Sequence, residues 1–311
     1  VRQVVSGGDP EVFVRGLLTA KAIVEQELFH QAWPCRESTV AHIAMTACGE
    51  EGLASLIDTI YTDGTPCPII IETGYGRRDY AQVAAKLLLP PSGRKASGKF
   101  DEALLLLWDG KVTTPADLAL VAEAARGRGL PLCIVAQEFG DEAMQFIETN
   151  AARGAVDCFP IRAPGQDSDS RGDWFEDIAF ITGAAVHTAA EHGPLSALAG
   201  SSLVTVNGVE FTEKHTFCAV PSQLTGKLKQ RREAIRSKHL LNTTLSESDR
   251  LKERLSRLSG WVTFVHLRAA SDIELAERRQ RFDDAVRAVD AALEGGVLPG
   301  GGLSFLNCIP A

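Results

Sequence analysis

The chain has 311 residues, 45% of them hydrophobic and 23% charged, the proportions of an ordinary globular protein rather than a disordered one. Its 32 Lys and Arg against 40 Asp and Glu leave a net charge of −8, which argues against a general nucleic-acid binder, because phosphate neutralisation needs a net basic face. The best apolar run, Ala103 to Trp108, is far shorter than the roughly 20 residues a bilayer demands, and no signal pattern opens the chain, so no membrane partner is expected.

Length suggests about two domains. The 7 cysteines are odd in number, widely spaced and form no CxxC, which predicts reduced thiols in a reducing compartment. The 7 histidines are scattered, and no metal site is expected. The chain starts at Val1 rather than Met and ends at Ala311 inside a new apolar run, so a piece of a longer protein is expected.

In chain order, Asp9 to Phe29 reads as a helix. Asp9 can cap it, Pro10 suits its first position, and Leu17, Ala20, Ile23, Val24 and Leu28 recur at helical spacing. Trp33-Pro34 breaks it. Ser38 to Ala47 and Glu51 to Tyr61 read as two more helices, joined at Gly49. The run Ile69-Ile70-Ile71 predicts a buried strand over Pro68 to Thr73.

The middle of the chain alternates. Strand Glu102 to Trp108 and the turn Asp109-Gly110 precede a helix from Thr114-Pro115 to Arg126. Strand Pro131 to Ala136, helix Asp141 to Ala152, strand Ala155 to Ile161 and helix Asp173 to Ile181 follow. This pattern predicts a parallel α/β layer. Asn207-Gly208, between Leu203 to Val206 and Val209 to Thr212, predicts a hairpin. Lys227 to Leu240 and Ser246 to Leu258 predict a helical hairpin, Trp261 to Leu267 a strand, and Asp272 to Leu293 a long helix closed by Gly295-Gly296.

Taken singly, the motifs are bland. Gly300-Gly301-Gly302 could aim backbone N–H groups at a phosphate, but no Lys-Ser/Thr follows and a structural turn explains it as well. Asp283-Asp284 fits a solvated helix face or a base that needs a substrate opposite. The basic run Lys227 to Lys238 fits a solvated face or an anion-binding one. No GxSxG appears, and no strand end carries an acid, base and nucleophile set, which leaves an unrelated α/β enzyme with little support.

Several blocks in combination are far more specific. The first comprises Ala270-Ser271-Asp272-Ile273-Glu274-Leu275, Glu277-Arg278-Arg279, Arg281-Phe282-Asp283-Asp284-Ala285, Glu294 and Gly296-Val297-Leu298-Pro299-Gly300-Gly301-Gly302. The second is Pro131 to Ala136 with Glu142-Ala143 and Asn150-Ala151-Ala152-Arg153-Gly154. Ala163-Pro164-Gly165, Glu176-Asp177-Ile178-Ala179 and Thr182-Gly183 follow, and Asp9-Pro10, Arg15-Gly16 and Pro34-Cys35 agree upstream. In order and spacing these blocks resemble the group I chaperonins, the GroEL/Hsp60 family, and mark a divergent member.

The resemblance implies an α/β apical domain of the swivelling GroEL type and an α+β intermediate domain, with the equatorial domain largely missing. Residues 1–30 would be an equatorial remnant helix, 31–78 and 263–294 the intermediate domain, 79–262 the apical domain and 295–311 an equatorial stub. It implies a molecular chaperone that captures unfolded or partly folded polypeptides on an apolar apical surface. In the full ring, capture would be coupled to ATP hydrolysis for refolding, with a co-chaperonin as a further partner. The reading alongside it is a specialised, naturally equatorial-less paralogue that binds protein without ATP. The family's nucleotide loop, GDGTTT, is not among the 311 residues. Asp284 matches the hydrolysis-assisting aspartate and Gly300, Gly301 and Gly302 the nucleotide-adjacent turn. Both are expected to work only in an intact parent with ATP and Mg, and this chain alone is expected to hold no cofactor and to be inactive.

The expected polypeptide-binding positions are Leu87, Leu88 and Leu89 on an extended segment, Ala119 and Ala122 on the first helix, and Met144, Glu148 and Thr149 on the second. Core packing is the competing reading for the apolar ones. Ala119 and Ala122 stand where the family has leucines, and Glu148 and Thr149 where it has valines, so an altered client and co-chaperonin surface is expected; each lost CH₂ is worth about 0.8 kcal/mol when buried. Bacterial cytoplasm, mitochondrial matrix and plastid stroma all fit.

Overall fold

The long helices begin at side chains able to accept hydrogen bonds from their first turn. Asp9 accepts from the Glu11 N–H at 2.8 Å. Ser271 accepts from the Glu274 N–H at 3.3 Å, while the Glu274 carboxylate accepts from the Ala270 N–H at 2.9 Å, a reciprocal cap.

The computed structural model describes residues 9–61, 67–76, 78–94, 96–165, 167–198, 200–239 and 245–309; Val1 to Val5, Leu240 and Ala311, touched on above, lie outside them. The chain opens with helices α1 (Pro10–Gln31), α2 (Glu37–Cys48) and α3 (Glu51–Ile60) and strands β1 (Ile69–Tyr75), β2 (Tyr80–Ala84), β3 (Lys86–Leu89) and β4 (Gly98–Val112). It continues with α4 (Pro115–Arg128), β5 (Leu132–Phe139), α5 (Asp141–Ala152), β6 (Cys158–Arg162), α6 (Ser168–Thr182), β7 (Val186–His187) and α7 (Ala189–His192). It closes with β8 (Val204–Phe211), β9 (Thr216–Ala219), α8 (Thr225–His239), α9 (Leu245–Arg257), β10 (Val262–Ala269), α10 (Asp272–Gly295) and α11 (Leu303–Asn307).

Two compact units result, one of residues 1–64, 73–80 and 266–311 and one of 65–72 and 81–265. The dividing points fall within β1, β2 and β10, which pair in the order β1-β10-β2.

In the first unit α10 packs along α2 and touches α3. Phe282, Ala285, Val289 and Ala292 recur at three- and four-residue steps and are buried, as are Leu53, Ala54, Ile57 and Ile60 of α3. Tyr61 donates its hydroxyl to Asp290 at 2.7 Å. Arg278 donates to Glu50 and Asp79, both at 2.6 Å, and to the carbonyl of Arg268, whose own N–H goes to Asp79 at 2.7 Å. One guanidinium thus ties the start of α3, the approach to β2 and the end of β10. After α10, Val297 and Trp33 exchange backbone hydrogen bonds of 2.9 and 3.2 Å. Gly296 makes this possible: its φ is +81°, and a Cβ there would stand 2.7 Å from the Trp33 carbonyl oxygen. By contrast α1 buries none of its residues.

The second unit is built on a seven-stranded sheet in the order β3-β9-β8-β4-β5-β6, with β7 also on β4. The expected parallel layer is present as β4, β5, β6 and β7. The other half of the sheet, β3, β9 and β8, is antiparallel. Helices cover both faces, so β4 is apolar without alternation. Leu104 and Leu106 pack with Leu132 and Ile134 against Leu118 and Val121 of α4 and Ala143 and Ile147 of α5. Leu105 and Leu107 pack with Cys133 and Val135 against Phe175 and Ile178 of α6 and Leu251 and Leu255 of α9. Each such leucine contributes about 1.5–3 kcal/mol by leaving water.

Two turns expected from dipeptides are strands instead. Asp109-Gly110 lies inside β4, which runs on to Val112 with a register shift between Trp108 and Lys111, a bulge spanned by the Trp108 indole N–H donating to the Lys111 carbonyl at 3.3 Å. Asn207-Gly208 lies inside β8, whose pairing with β4 continues on both sides of it. Gly208 has the left-handed φ that the dipeptide favours, +57°, but the ladder absorbs it. The reversal comes at Thr212 and His215, which exchange hydrogen bonds through the Thr212 hydroxyl and the His215 N–H at 3.0 Å and through the Thr212 N–H and the His215 carbonyl at 2.8 Å.

Candidate functional site

The two helices singled out by the sequence, α4 and α5, lie on one face of the second unit's sheet, and each turns one side outward. In α4 the carboxylate of Asp117 accepts from the Thr114 and Thr113 N–H groups at 2.9 and 3.0 Å. Partial burial alone would raise this carboxyl, but those hydrogen bonds hold it below the ordinary aspartate range. Leu118, Val121, Ala122 and Ala125 face inward. Ala119, Leu120 and Glu123 face water, with Leu120 46% exposed. Of the two alanines picked from sequence, Ala119 therefore sits on the open face and Ala122 in the core.

On α5, Ala143 and Ile147 are buried and Met144 and Phe146 half-buried, while Glu142, Gln145, Glu148 and Thr149 are exposed. Met144 lies over Gly93, since a Cβ at Gly93 would stand 3.6 Å from its terminal methyl. Gly93 in turn donates to the Pro160 carbonyl at 2.7 Å, holding residues 91–94 along β6. Strand alternation separates the three leucines of β3. Leu87 and Leu89 are 1% and 3% exposed and belong to the core, whereas Leu88 points the other way, into a cleft of about 240 Å³ shared with Trp174 and Trp261. The open face of α4 and α5 is thus mixed, with Leu120 and Ala119 among acidic and amide side chains.

Sequence reasoning missed a buried ion-pair cluster that fastens α6 to α8 and α9. Asp177, fully buried, accepts from Arg254 at 2.8 Å and from Arg257 at 3.1 Å. Asp173 pairs with Arg254 at 2.5 Å, and Glu176 with Arg231 and Arg254 at 2.5 and 2.8 Å. Burial raises the Asp177 carboxyl, against the downward pull of both guanidiniums. For Glu176, more open to solvent, the pull of Arg231 and Arg254 exceeds the effect of burial and the carboxyl is held low. Arg231 belongs to the basic run of α8, so that run is not uniformly a solvated face.

In the first unit Asp284 is exposed and paired with Arg287 at 3.4 Å. Gly300, Gly301 and Gly302 are exposed, with φ of +66° at Gly301 and +79° at Gly302, and open the five-residue α11. The Ser304 hydroxyl donates to the Pro299 carbonyl at 2.8 Å and closes this turn. No group of three or more His, Cys, Asp or Glu able to hold a metal occurs among the described residues. No helix is long and apolar enough to cross a membrane among them. None of the 7 cysteines is in a disulfide, and burial pushes the thiols of Cys158 and Cys218 up to about 12.

No protein-family model matches the chain. Among solved structures, it resembles the chaperonin gp146 of bacteriophage EL (Pseudomonas aeruginosa) in two crystal forms, at TM-scores of 0.72 and 0.66 and 19% identity. These matches cover 93% and 94% of this chain and 58% and 59% of the phage protein. The fold is that of chaperonin apical and intermediate domains. Along 99% of its length the chain is also 29% identical to Chaperonin GroEL 2 of Albidiferax ferrireducens, of which it spans 58%. Over nearly its whole length the chain is thus similar to a GroEL-type chaperonin, of which it spans little more than half.

Proposed function

We propose that this chain is the apical and intermediate part of a divergent chaperonin 60 subunit, a molecular chaperone that captures non-native polypeptides. The observation that carries this reading is the similarity to GroEL 2 along 99% of the chain. Residues 79–262 serve as the apical domain, 31–78 and 263–294 as the intermediate domain, and 1–30 and 295–311 as equatorial segments. Ring assembly, a co-chaperonin, and ATP and Mg belong to the whole subunit. Asp284 and the Gly300–Gly302 turn would act there, and the 311 residues by themselves neither bind ATP tightly nor hydrolyse it.

Capture is assigned to the open side of α4 and α5, centred on Leu120 and Ala119 and flanked by Met144 and Phe146. Apolar burial is non-directional, so such a surface takes clients of many sequences. Glu148 and Thr149, both exposed, favour a second reading in which this surface is specialised and works without an ATP cycle. Aggregation of a chemically unfolded model protein, followed by light scattering, tests the assignment. Leu120→Glu weakens suppression without lowering the thermal midpoint, and Glu148→Val with Thr149→Val strengthens it. Suppression unchanged by both would move capture elsewhere.

A further inference from the structure

We propose that the cleft under Leu88 binds an organic cation, an alkylammonium or guanidinium group on an apolar stem. Its volume is about 240 Å³, below the roughly 300–1,000 Å³ of drug-sized pockets and suited to a short chain of carbons with one head group. Its lining includes Leu88, Trp174 and Trp261 together with Lys86, Arg257 and Glu253.

The charges choose the sign of the ligand. Lys86 already pairs with Glu210 at 2.8 Å. Arg257 donates to Asp177 at 3.1 and 3.2 Å. Glu253 is exposed and has no hydrogen bond or ion pair among the described residues; it acts on Arg257 only through space. An entering anion would find both cations taken and a carboxylate against it. A cation finds the unmatched carboxylate and two indoles, the ring type whose face attracts cations best. Within the same unit Lys86 already rests 5.0 Å from the ring centre of Phe217, so an ammonium beside an aromatic ring is a contact this fold uses. Trp261, 41% exposed, leaves the cleft open to solvent. None of this depends on the chaperone reading.

Calorimetric titration of the full chain with pentylammonium and with its neutral isostere 1-pentanol tests the site. Pentylammonium binds saturably and 1-pentanol does not. Glu253→Gln and Trp261→Leu, both at exposed positions that leave the core intact, each weaken binding roughly tenfold. N-acetyl-lysine N-methylamide separates the two sources of the ligand. Tighter binding than the bare amine assigns a polypeptide side chain, weaker binding a free amine, and either result supports the site. Equal binding of 1-pentanol, indifference to Glu253→Gln, or no saturable binding of pentylammonium would overturn it.

Discussion

Asp177→Ala is the most informative single perturbation of this fold. The carboxylate is fully buried and takes hydrogen bonds from Arg254 Nε and Nη2 and from Arg257 Nε and Nη2, between 2.8 and 3.2 Å. Without it Arg254 still has Asp173 and Glu176, but Arg257 keeps no hydrogen-bonded carboxylate and stays largely buried. Breaking a buried ion pair from one side costs about 3–5 kcal/mol, because the remaining charge is left without compensation. That is a large part of a typical stability of about 5–15 kcal/mol. With urea slopes of about 1–3 kcal/mol per molar, the unfolding midpoint of the second unit falls by at least about 1 M. Arg257→Met is the control. It leaves Asp177 bound to Arg254, so its cost is that of lost hydrogen bonds to a charged group, about 1.5–3 kcal/mol. Urea titration followed by tryptophan emission, which includes the neighbouring Trp174, reads both. A cost below about 1 kcal/mol for Asp177→Ala, or a larger cost for Arg257→Met, would refute the view that this cluster clamps α9 to α6.

Two further outcomes follow from local geometry. Gly296→Ala lowers the stability of the first unit by about 1–3 kcal/mol, read from its thermal midpoint, because the residue holds a φ of +81° and its new methyl would strike the Trp33 carbonyl; an unchanged midpoint would contradict that contact. The Asp117 carboxyl is held below its unfolded value, so its stabilising effect is complete above the unfolded pKa and is lost as pH falls through the lower, folded one. Amide exchange at the start of α4 therefore speeds up below about pH 4, and Asp117→Asn makes that end labile at neutral pH and removes the pH dependence.

Local order was legible before any coordinates. Asp9, Ser271 and Gly49 mark helix ends through hydrogen bonds and backbone freedom within a few residues of themselves, and α5 spans Asp141–Ala152 as its periodicity predicts. The unbroken apolar run of β4 announces a strand covered on both faces, and the ordered motif blocks announce the chaperonin likeness. Pairing was another matter. Asn207-Gly208 carries the backbone preference of a hairpin, yet its neighbours are held by β4, more than ninety positions away along the chain, and the tertiary ladder overrides the local turn.

The site divides the same way. Which residues are apolar and where they recur is written in the chain, because periods of two and 3.6 residues are local properties. Which side of each element meets the core is not. Only the packed sheet placed Ala119 outward and Ala122 inward, turned Leu88 away from Leu87 and Leu89, and brought Arg254 to Asp177 across 77 positions. Burial and charge pairing are energies of neighbourhood, and the neighbourhood exists only once distant segments have met.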